Sequence, residues 1–400
     1  MIATFKPSIL CGAVDAPPSK SMAHRYLIGA ALSGQKCVLH GVDYNEDILA
    51  TIDCLRALGA TVTVNGDTVA VDPREFLRAD SCVLECRESG STLRFLIPLA
   101  LCLGKKATFR GSERLLARPL GVYETLCREK NFLFARSSDG ITVCGSLSGG
   151  HYRIRGDVSS QFITGLIFAL VYRNEASVIE IQPPFESRSY VDLTLAALTD
   201  FGADVAFADP YTVKINPSKL HAYTGRVEGD WSAAAFLHAF NHIGGEIEVG
   251  NLNSESLQGD RVFLDYFDQL SSGVPTLDIS DCPDLGPILI ALAALKNGAT
   301  LKGTDRLKVK ESDRGLAMHE ELARLGGGLI FGENCITVPK QSLCDRREVL
   351  DGHNDHRIVM SMSVILSRTG GAIAGAEAIK KSYPRFFEDI KMLGAEVQTK

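Results

Sequence analysis

One pattern of apolar and polar positions recurs six times along the chain. Each copy has an amphipathic helix, then a glycine or asparagine, then a segment in which apolar and polar residues alternate. The copies are CLRALGATVTV (54–64), YETLCREKNFLFA (123–135), LTDFGADVAFA (198–208), LDYFDQLSSGVPTLDI (264–279), ELARLGGGLIFG (321–332) and IKMLGAEVQ (390–398). Their junctions, 72, 71, 71, 53 and 68 positions apart, are marked by Gly59, Asn131, Gly202, Gly273, Gly326 and Gly394. Because glycine and asparagine readily take the left-handed conformation that ends a helix, each copy predicts a helix that passes directly into a strand.

The spacing of the copies predicts two domains of three repeats each. Between the junctions lie further helices that are apolar on all sides, such as GSTLRFLIPLALCL and DLGPILIALAAL, as expected for buried helices. The third and fourth repeats separate near RVEGDWSAAAFL, and the first strand, TFKP, precedes the break at Pro17 and Pro18. We therefore predict one domain formed by residues 1–18 plus 229–400 and a second formed by residues 19–228.

Composition and charge narrow the functional classes. A chain of 400 residues exceeds one ordinary core, and 45% hydrophobic with 22% charged residues is typical of a globular protein. The net charge of -6 argues against nucleic-acid binding. Since no apolar run approaches the roughly 20 residues of a membrane span, we expect a cytoplasmic protein with no membrane partner. The eleven cysteines form no CxxC pair, and His238 and His242 lack a third ligand, so no metal site is expected.

Although the chain is acidic, it places cations where helices are expected to begin. In DAPPSKSMAHR (15–25) two prolines are followed by Lys20, Ser21 and Arg25, and an apolar helix comes next. A helix N-terminus with hydroxyl groups and cations is typical of a phosphate site. A capped surface helix with incidental charge explains this stretch alone equally well.

Two further helix starts have similar chemistry. ECRESGSTLRFL places Gly90 before a helix, where a glycine lets backbone amides approach a ligand, and GSERLLARPL holds Arg118. GDVSSQFITGL offers Ser159, Ser160 and Gln161 at another helix start. Ordinary N-capping explains each of these patterns as well.

The second half of the chain carries a denser group of charges. In RLKVKESDRGLAMHEEL we expect Lys310, Glu311 and Arg314 on one side of the opening turn of an amphipathic helix. A carboxylate between two cations suits an acid–base group, although a solvated charged face is the usual alternative. GHNDHRIVMSMSV then places Arg357 before an apolar helix, and IKKSYPRFF holds Lys381. Together with the first half, this distribution favours small polyanions as ligands.

Several catalytic motifs are missing from the sequence. It contains no GxxxxGK[ST] loop, no GxGxxG after a first strand, no paired-aspartate metal cluster and no GxSxG elbow. These absences disfavour nucleotide hydrolysis and metal-assisted phosphoryl transfer.

The assembled stretches, from PPSKSMAHR to KKSYPRFFED, resemble the 5-enolpyruvylshikimate-3-phosphate synthase family in order and spacing over nearly the whole chain. The resemblance implies a two-domain inside-out α/β barrel, each domain with three βαβαββ repeats around a pseudo-threefold axis and the active site in the cleft between domains. It also implies a monomer that needs no cofactor or metal and is a target of glyphosate.

The resemblance further implies the reaction and the residues that perform it. The enolpyruvyl group of phosphoenolpyruvate would pass to the 5-hydroxyl of shikimate 3-phosphate, with release of phosphate through a tetrahedral intermediate. The implied shikimate 3-phosphate residues are Lys20, Ser21, Arg25, Ser159, Ser160, Gln161, Ser187, Tyr190, Asp284 and Lys310. The implied phosphoenolpyruvate residues are Lys20, Gly90, Arg118, Gln161, Arg314, Arg357 and Lys381. The implied catalytic groups are Asp284 as base, Glu311 as acid, and Lys20.

Three positions depart from the pattern of the family. Glu88 stands where many members have asparagine, Ser91 where threonine is usual, and Arg306 where some members have an asparagine, so Arg306 is left without a role. The retained Gly90 and the KESDR stretch predict sensitivity to glyphosate.

Two alternative functions remain to be tested. A UDP-N-acetylglucosamine enolpyruvyl transferase would carry a reactive cysteine in the loop before its Arg-Pro element. Here GSERLLARPL has none, and Cys102 and Cys127 lie outside it. A non-catalytic phosphate-binding scaffold would tolerate the loss of Asp284 or Glu311, and both residues are present.

Overall fold

The computed structural model describes residues 1–78 and 82–400. The strands in this part of the chain are β1 (Ile2–Phe5), β2 (Cys11–Asp15), β3 (Cys37–His40), β4 (Thr61–Asn65), β5 (Thr68–Asp72), β6 (Cys82–Glu85), β7 (Ala107–Arg110), β8 (Leu133–Ser137), β9 (Gly140–Cys144), β10 (His151–Arg155), β11 (Ser177–Gln182), β12 (Asp204–Asp209), β13 (Thr212–Asn216), β14 (Thr224–Arg226), β15 (Glu246–Gly250), β16 (Thr276–Asp278), β17 (Ala299–Lys302), β18 (Ile330–Gly332), β19 (Cys335–Val338), β20 (Val349–Asp351), β21 (Gly371–Ala374) and β22 (Val397–Thr399). The α-helices are α1 (Lys20–Leu32), α2 (Glu46–Ala57), α3 (Gly90–Leu101), α4 (Glu113–Ala117), α5 (Gly121–Glu129), α6 (Ser160–Arg173), α7 (Arg188–Thr199), α8 (Trp231–Asn241), α9 (Phe263–Ser272), α10 (Gly286–Leu295), α11 (Arg314–Arg324), α12 (His356–Thr369) and α13 (Phe386–Met392). Short 3₁₀ helices cover Gly259–Val262, Pro283–Leu285, Thr304–Val309 and Ala376–Lys381.

The chain divides into two compact units. The first unit comprises Met1–Pro17 and Gly229–Lys400, and the second comprises Pro18–Glu228. Each unit buries its own apolar core, formed by the inner faces of its sheets and by helices that are apolar nearly all round. The clearest of these helices is α10, GPILIALAAL, in which every residue from Gly286 to Ala294 is buried.

The described residues of the second unit form three four-stranded sheets built on one scheme. Their strand orders are β14-β3-β5-β4, β6-β7-β9-β8 and β10-β11-β13-β12. In each sheet the first two strands are parallel, and the remaining two form an antiparallel hairpin. In the second and third of these sheets a helix connects the parallel strands, and helical structure also precedes the hairpin, which gives the βαβαββ repeat. In the first repeat the opening strand is β14, which comes from the end of the unit.

The first unit has two sheets of this kind, β16-β17-β19-β18 and β20-β21-β1-β22, and one that is smaller. In the second of these sheets β1 pairs with both β21 and β22, so the N-terminal strand completes the last repeat. The smaller sheet contains only β2 and β15, which are parallel.

The fourth copy of the sequence pattern was interpreted incorrectly in one respect. The strand expected after Gly273 is β16, which pairs in parallel with β17 and therefore opens the next repeat. Within the first unit, all of whose residues are described, the repeat β2–α8–β15–α9 has no closing hairpin. The missing hairpin explains why the step after Gly273 is 53 residues while the others are close to 70.

The junctions at the other five copies are confirmed. Gly59, Gly202, Gly326 and Gly394 have φ values between 86° and 103°, and Asn131 has φ 55°, as a left-handed helix end requires. A Cβ atom at Gly59 would overlap the backbone carbonyl of Glu75, so glycine is needed there for space as well as for conformation. Gly273, in contrast, has an extended backbone, since the chain continues into a different sheet.

The helices of the described chain are short. The longest, α6 and α12, have 14 residues each, and none of the described helices is both long and apolar enough to cross a membrane.

Candidate active site

In the second unit, helix α1 begins at Lys20 directly after Pro17 and Pro18. Ser19 caps this helix, because its side chain accepts a hydrogen bond from the Met22 amide. The Lys20 ammonium lies 2.8 Å from a carboxylate oxygen of Asp47, which lies in the first turn of α2. The pair is mostly buried, with 16% and 11% of the two side chains exposed. Sequence reasoning did not identify Asp47.

Arg25 is a buried cation on the same helix. Its guanidinium donates to the Thr194 hydroxyl at 2.9 Å and to the backbone carbonyls of Ser21 and Tyr190, both at 2.7 Å. Among the described residues no carboxylate pairs with Arg25, and burial lowers its pKa to about 10. At neutral pH it therefore remains charged, and its partners among the described residues are neutral oxygens and the rings of Phe95 and Tyr190. Such a charge is costly unless an anion joins it.

Helix α7 supplies two of the predicted residues beside Arg25. Ser187 is the N-cap residue of this helix and has φ 54°, and Tyr190 follows in its first turn. The Tyr190 ring centre is 6.0 Å from the Arg25 guanidinium carbon. The predicted residues Ser187 and Tyr190 thus lie at the start of α7, the helix that accepts two hydrogen bonds from Arg25.

A second group of polar side chains lies where helices α3 and α6 begin. Ser159 caps α6, since its hydroxyl accepts from the Gln161 amide at 3.3 Å. Ser160 is the first residue of this helix and is buried. The Gln161 side chain accepts from Arg94 at 2.7 Å and donates to Ser91 at 2.9 Å. The serine at position 91, a departure from the usual threonine, therefore still offers a hydroxyl to this group.

Gly90 opens helix α3 and leaves room for two guanidinium groups. A Cβ atom there would lie 2.7 Å from Nη1 of Arg118 and 3.2 Å from Nη1 of Arg94. Arg118 is the C-cap residue of α4, and its guanidinium therefore lies at the start of α3. The structure therefore brings Gly90, Arg118 and Gln161 together, and it adds Arg94, to which sequence reasoning gave no role.

In the first unit, Asp284 lies at the centre of a group of cations. One of its carboxylate oxygens is 3.1 Å from Nζ of Lys310 and 2.8 Å from Nη1 of Arg314, and the other is 3.0 Å from Nη2 of Arg357. Asp284 comes from the 3₁₀ helix Pro283–Leu285, and its three partners come from two other segments of the unit.

The Arg314 guanidinium connects three carboxylates. Besides Asp284, it contacts Glu311 at 2.6 Å and Asp355 at 2.9 Å, and only 1% of its side chain is exposed. Asp355 is also the N-cap of α12 and accepts from the Ser312 hydroxyl at 3.0 Å. The predicted acid Glu311 and the predicted base Asp284 are therefore held by the same guanidinium.

The charges of this group shift several pKa values. Burial raises the pKa of Asp284, but Arg357, Lys310 and Arg314 outweigh burial and hold it well below its usual range. Burial lowers the pKa of Lys310 to about 8. Burial also raises the pKa of the neighbouring Asp260 to about 6, and the charge of Asp284 adds to this effect. Asp284 is therefore ionised at neutral pH, and Lys310 titrates close to neutrality.

Lys381 lies beside the segment that leads into α12. Its ammonium donates to the backbone carbonyl of Asn354 at 2.6 Å, and Asn354 and His353 both have φ 50°. The unassigned Arg306 contacts the carbonyl of Ser280 at 3.4 Å. Lys381 therefore contacts the residue that precedes Asp355, whose carboxylate pairs with Arg314.

One sequence expectation about this group is wrong. Lys310 and Glu311 do not lie on the first turn of a helix, because α11 begins only at Arg314, with Asp313 as its N-cap. They lie between the 3₁₀ helix Thr304–Val309 and α11. The irregular backbone there, rather than helical spacing, directs both side chains toward Arg314 and Asp284.

The sequence of the chain matches a known family over almost all of its length. The sequence model described as EPSP synthase (3-phosphoshikimate 1-carboxyvinyltransferase) matches residues 5–274 and 268–390. A 3-phosphoshikimate 1-carboxyvinyltransferase of Clostridium kluyveri is 37% identical, with 98% of this chain and 97% of the relative aligned. One from Clostridium perfringens is 35% identical, with 97% of each aligned.

The fold also matches that of a solved structure. The structure of an EPSP synthase from Acinetobacter baumannii superposes with a TM-score of 0.79 over 100% of this chain and 99% of that one, at 21% identity. The fold of this chain therefore also occurs in a distantly related sequence. The chain belongs to the EPSP synthase family.

Proposed function

We propose that this chain transfers the enolpyruvyl group of phosphoenolpyruvate to the 5-hydroxyl of shikimate 3-phosphate and releases phosphate. One observation carries the proposal: a single buried guanidinium, that of Arg314, holds both Asp284 and Glu311. The reaction needs one group that gives a proton and one that takes a proton, next to cations that bind the leaving phosphate. Membership of the family supports the same assignment.

Arg25 is proposed to bind the phosphate of shikimate 3-phosphate. It is a buried cation that pairs with no carboxylate among the described residues, and its forked guanidinium fits two phosphate oxygens. The other residues assigned to this substrate are Lys20, Ser21, Ser159, Ser160, Gln161, Ser187 and Tyr190. Asp284 and Lys310 are assigned to its reacting hydroxyl.

Phosphoenolpyruvate is proposed to replace protein carboxylates as the partner of the cations in the first unit. Arg314 and Arg357 both pair with Asp284. The carboxylate and phosphate of phosphoenolpyruvate can take these positions. The residues assigned to it are Lys20, Gly90, Arg118, Gln161, Arg314, Arg357 and Lys381. This exchange prepares Asp284 for catalysis, because its pKa returns toward the ordinary range once its cations bind another anion.

The proposed chemistry is an addition followed by an elimination. The 5-hydroxyl oxygen attacks C2 of phosphoenolpyruvate, and its proton passes to Asp284. Glu311, which takes up a proton from solvent when phosphoenolpyruvate replaces it at Arg314, gives that proton to the methylene carbon. The tetrahedral product then loses a methyl proton to Glu311 while its C–O bond to phosphate breaks and the double bond re-forms. The cations stabilise the phosphate as it departs. The proton taken from the hydroxyl leaves with the phosphate.

The properties of two cysteines disfavour the alternative acceptor UDP-N-acetylglucosamine. Burial raises the pKa of Cys102 to about 12 and that of Cys127 to about 11, so neither thiol resembles a reactive thiolate.

Phosphate release, measured with phosphoenolpyruvate and each acceptor in turn, tests the proposal. We expect release with shikimate 3-phosphate and none with UDP-N-acetylglucosamine, and Asp284→Asn should abolish most of it. The matched control is Asp265→Asn, which removes an exposed carboxylate from α9. Release with the nucleotide sugar alone, or with neither acceptor, would overturn the assignment.

A further inference from the structure

A chain of hydrogen bonds between buried side chains connects helices α1, α2 and α3 in the second unit. Nδ1 of His24 is 2.8 Å from the Thr51 hydroxyl, which is 2.7 Å from the Thr92 hydroxyl, which in turn is 2.7 Å from the Ser89 hydroxyl. His24 is 1% exposed, and the other three residues are fully buried. None of the four is among the residues assigned to either substrate above.

The two ends of this chain lie next to proposed substrate-binding residues. His24 immediately precedes Arg25 on α1, and its ring packs edge-on against Phe95 of α3, with ring centres 6.2 Å apart. Ser89, at the other end, is the N-cap of α3, and its hydroxyl accepts from the Thr92 amide. The residue after Ser89 is Gly90. The chain therefore joins the helix of Arg25 to the turn that presents Gly90.

The hydrogen bonds also fix the direction in which protons are donated. The Thr92 hydroxyl has two acceptors, the Ser89 hydroxyl at 2.7 Å and the Asp47 backbone carbonyl at 3.4 Å, and its single proton goes to one of them, so Thr51 is the donor to Thr92. The Thr51 oxygen then accepts from His24, which requires a proton on Nδ1. Nε2 is buried and has no hydrogen-bond partner among the described residues, in agreement with a neutral ring unprotonated there. Burial, with the charges of Lys20 and Arg25, lowers the pKa of His24 well below its usual value.

We propose that His24, Thr51, Thr92 and Ser89 are positioning residues that hold the Gly90 turn at a fixed place relative to the helix of Lys20 and Arg25. The physical reason is that a buried donor or acceptor left without its partner is costly, so each link tolerates little displacement. A shift of α3 relative to α1 would break a link, and the turn at Gly90 would lose its alignment. The inference rests on the proposed function, because it assumes that Gly90 and Arg25 serve the same reaction.

Thr51→Val tests the proposal, because valine keeps the shape of threonine and removes the central hydroxyl. We expect the KM for phosphoenolpyruvate to rise about fivefold to tenfold, the size expected for one buried hydrogen bond, with kcat within about twofold of the wild type. Thr51→Ser should restore the wild-type KM. The matched control is Thr142→Val, which removes another threonine pair of the same unit, at 3.1 Å from Thr108.

Nuclear magnetic resonance measured without substrate provides a second arm. The ¹⁵N shifts of the His24 ring should show the proton on Nδ1, and Thr51→Val should shift the Gly90 amide while Thr142→Val does not. If Thr51→Val does not fold, Thr92→Val tests the same proposal, because it removes the hydrogen bonds of the neighbouring hydroxyl to Thr51 and Ser89.

The possible outcomes separate this inference from the proposed function. A His24 proton on Nε2, an unmoved Gly90 amide, or an unchanged KM for phosphoenolpyruvate would each overturn the positioning role. If the wild-type protein shows no enolpyruvyl transfer at all, the proposed function fails. The nuclear magnetic resonance comparison alone then decides whether the hydrogen bonds from His24 to Ser89 position Gly90.

Discussion

Replacing Asp284 by asparagine separates a proton-transfer role from charge balance. The buried group around Arg314 contains three carboxylates and three cations, and these are Asp284, Glu311 and Asp355 with Lys310, Arg314 and Arg357. Asparagine keeps the shape of the side chain but leaves one positive charge in excess. Removing one partner of a buried ion pair costs about 3–5 kcal/mol, and the 20% exposure of the Asp284 side chain favours the lower end, about 3 kcal/mol.

The excess positive charge should lower the stability of the variant, but it should favour the binding of phosphoenolpyruvate, which is an anion. Without substrate, the variant should unfold more readily than the wild type. Phosphoenolpyruvate brings its own anionic groups, so it should stabilise the variant against thermal unfolding more than it stabilises the wild type. Binding should therefore be retained, while kcat falls by about 10²–10⁴-fold because the base is missing.

Calorimetric titration with each substrate and single-turnover rates measure the two effects separately. Glu311→Gln, which removes the proposed acid, should show the same loss of kcat with retained binding. A near-normal kcat in either variant would refute the acid–base assignment for that residue and leave it a structural role. Asp265→Asn on the surface of the same unit should change neither property.

Three further predictions follow from individual side chains. Arg25→Lys keeps the charge but loses the forked contact, so shikimate 3-phosphate should bind about 10- to 100-fold more weakly, as measured by calorimetry; an equal loss for phosphoenolpyruvate would reject the assignment. Gly90→Ala places a methyl group against Arg118 and should raise the KM for phosphoenolpyruvate roughly tenfold, and an unchanged KM would show that the guanidinium can move aside. The hydrogen bond from His353 to Glu321, at 2.7 Å, raises the pKa of His353, so its stabilising effect is complete below about pH 6.5 and disappears as the pH rises through the raised value. Urea unfolding at about pH 6 and about pH 9 should therefore show a larger loss of stability in the wild type than in His353→Gln, and parallel losses would contradict this role.

The sequence predicted the repeats because their cause is local. A helix that ends at a left-handed glycine leaves a clear signal in ten residues, and five of the six junctions are confirmed. Gly273 has the same local signal, but the pairing of β16 with β17 is decided by a partner more than twenty residues further along the chain. Local pattern cannot distinguish the last strand of one repeat from the first strand of the next.

The charged residues likewise include some that local sequence identifies and some that only tertiary structure reveals. Lys310, Glu311 and Arg314 could be selected from their crowding in one stretch. Asp284, the partner of Lys310 and Arg314, is 30 residues from Arg314, and these contacts follow from tertiary structure. Asp47 and Asp355 were missed because an acidic residue in the first turn or at the N-cap of a helix is ordinary. Only the distances to Lys20 and Arg314 reveal that each one pairs with a cation that is proposed to bind substrate.

The pairing of β1 with β21 and β22 has a consequence for the synthesis of the protein. Ile2 pairs with Ala374 and Ala3 with Thr399, so the N-terminal strand cannot find its partners until almost the whole chain has left the ribosome. The second unit is continuous in sequence and can fold while the remainder is still being made. Meanwhile β1 and β2 remain unpaired, and a ribosome that stops before β21 releases a chain whose last sheet lacks two of its four strands.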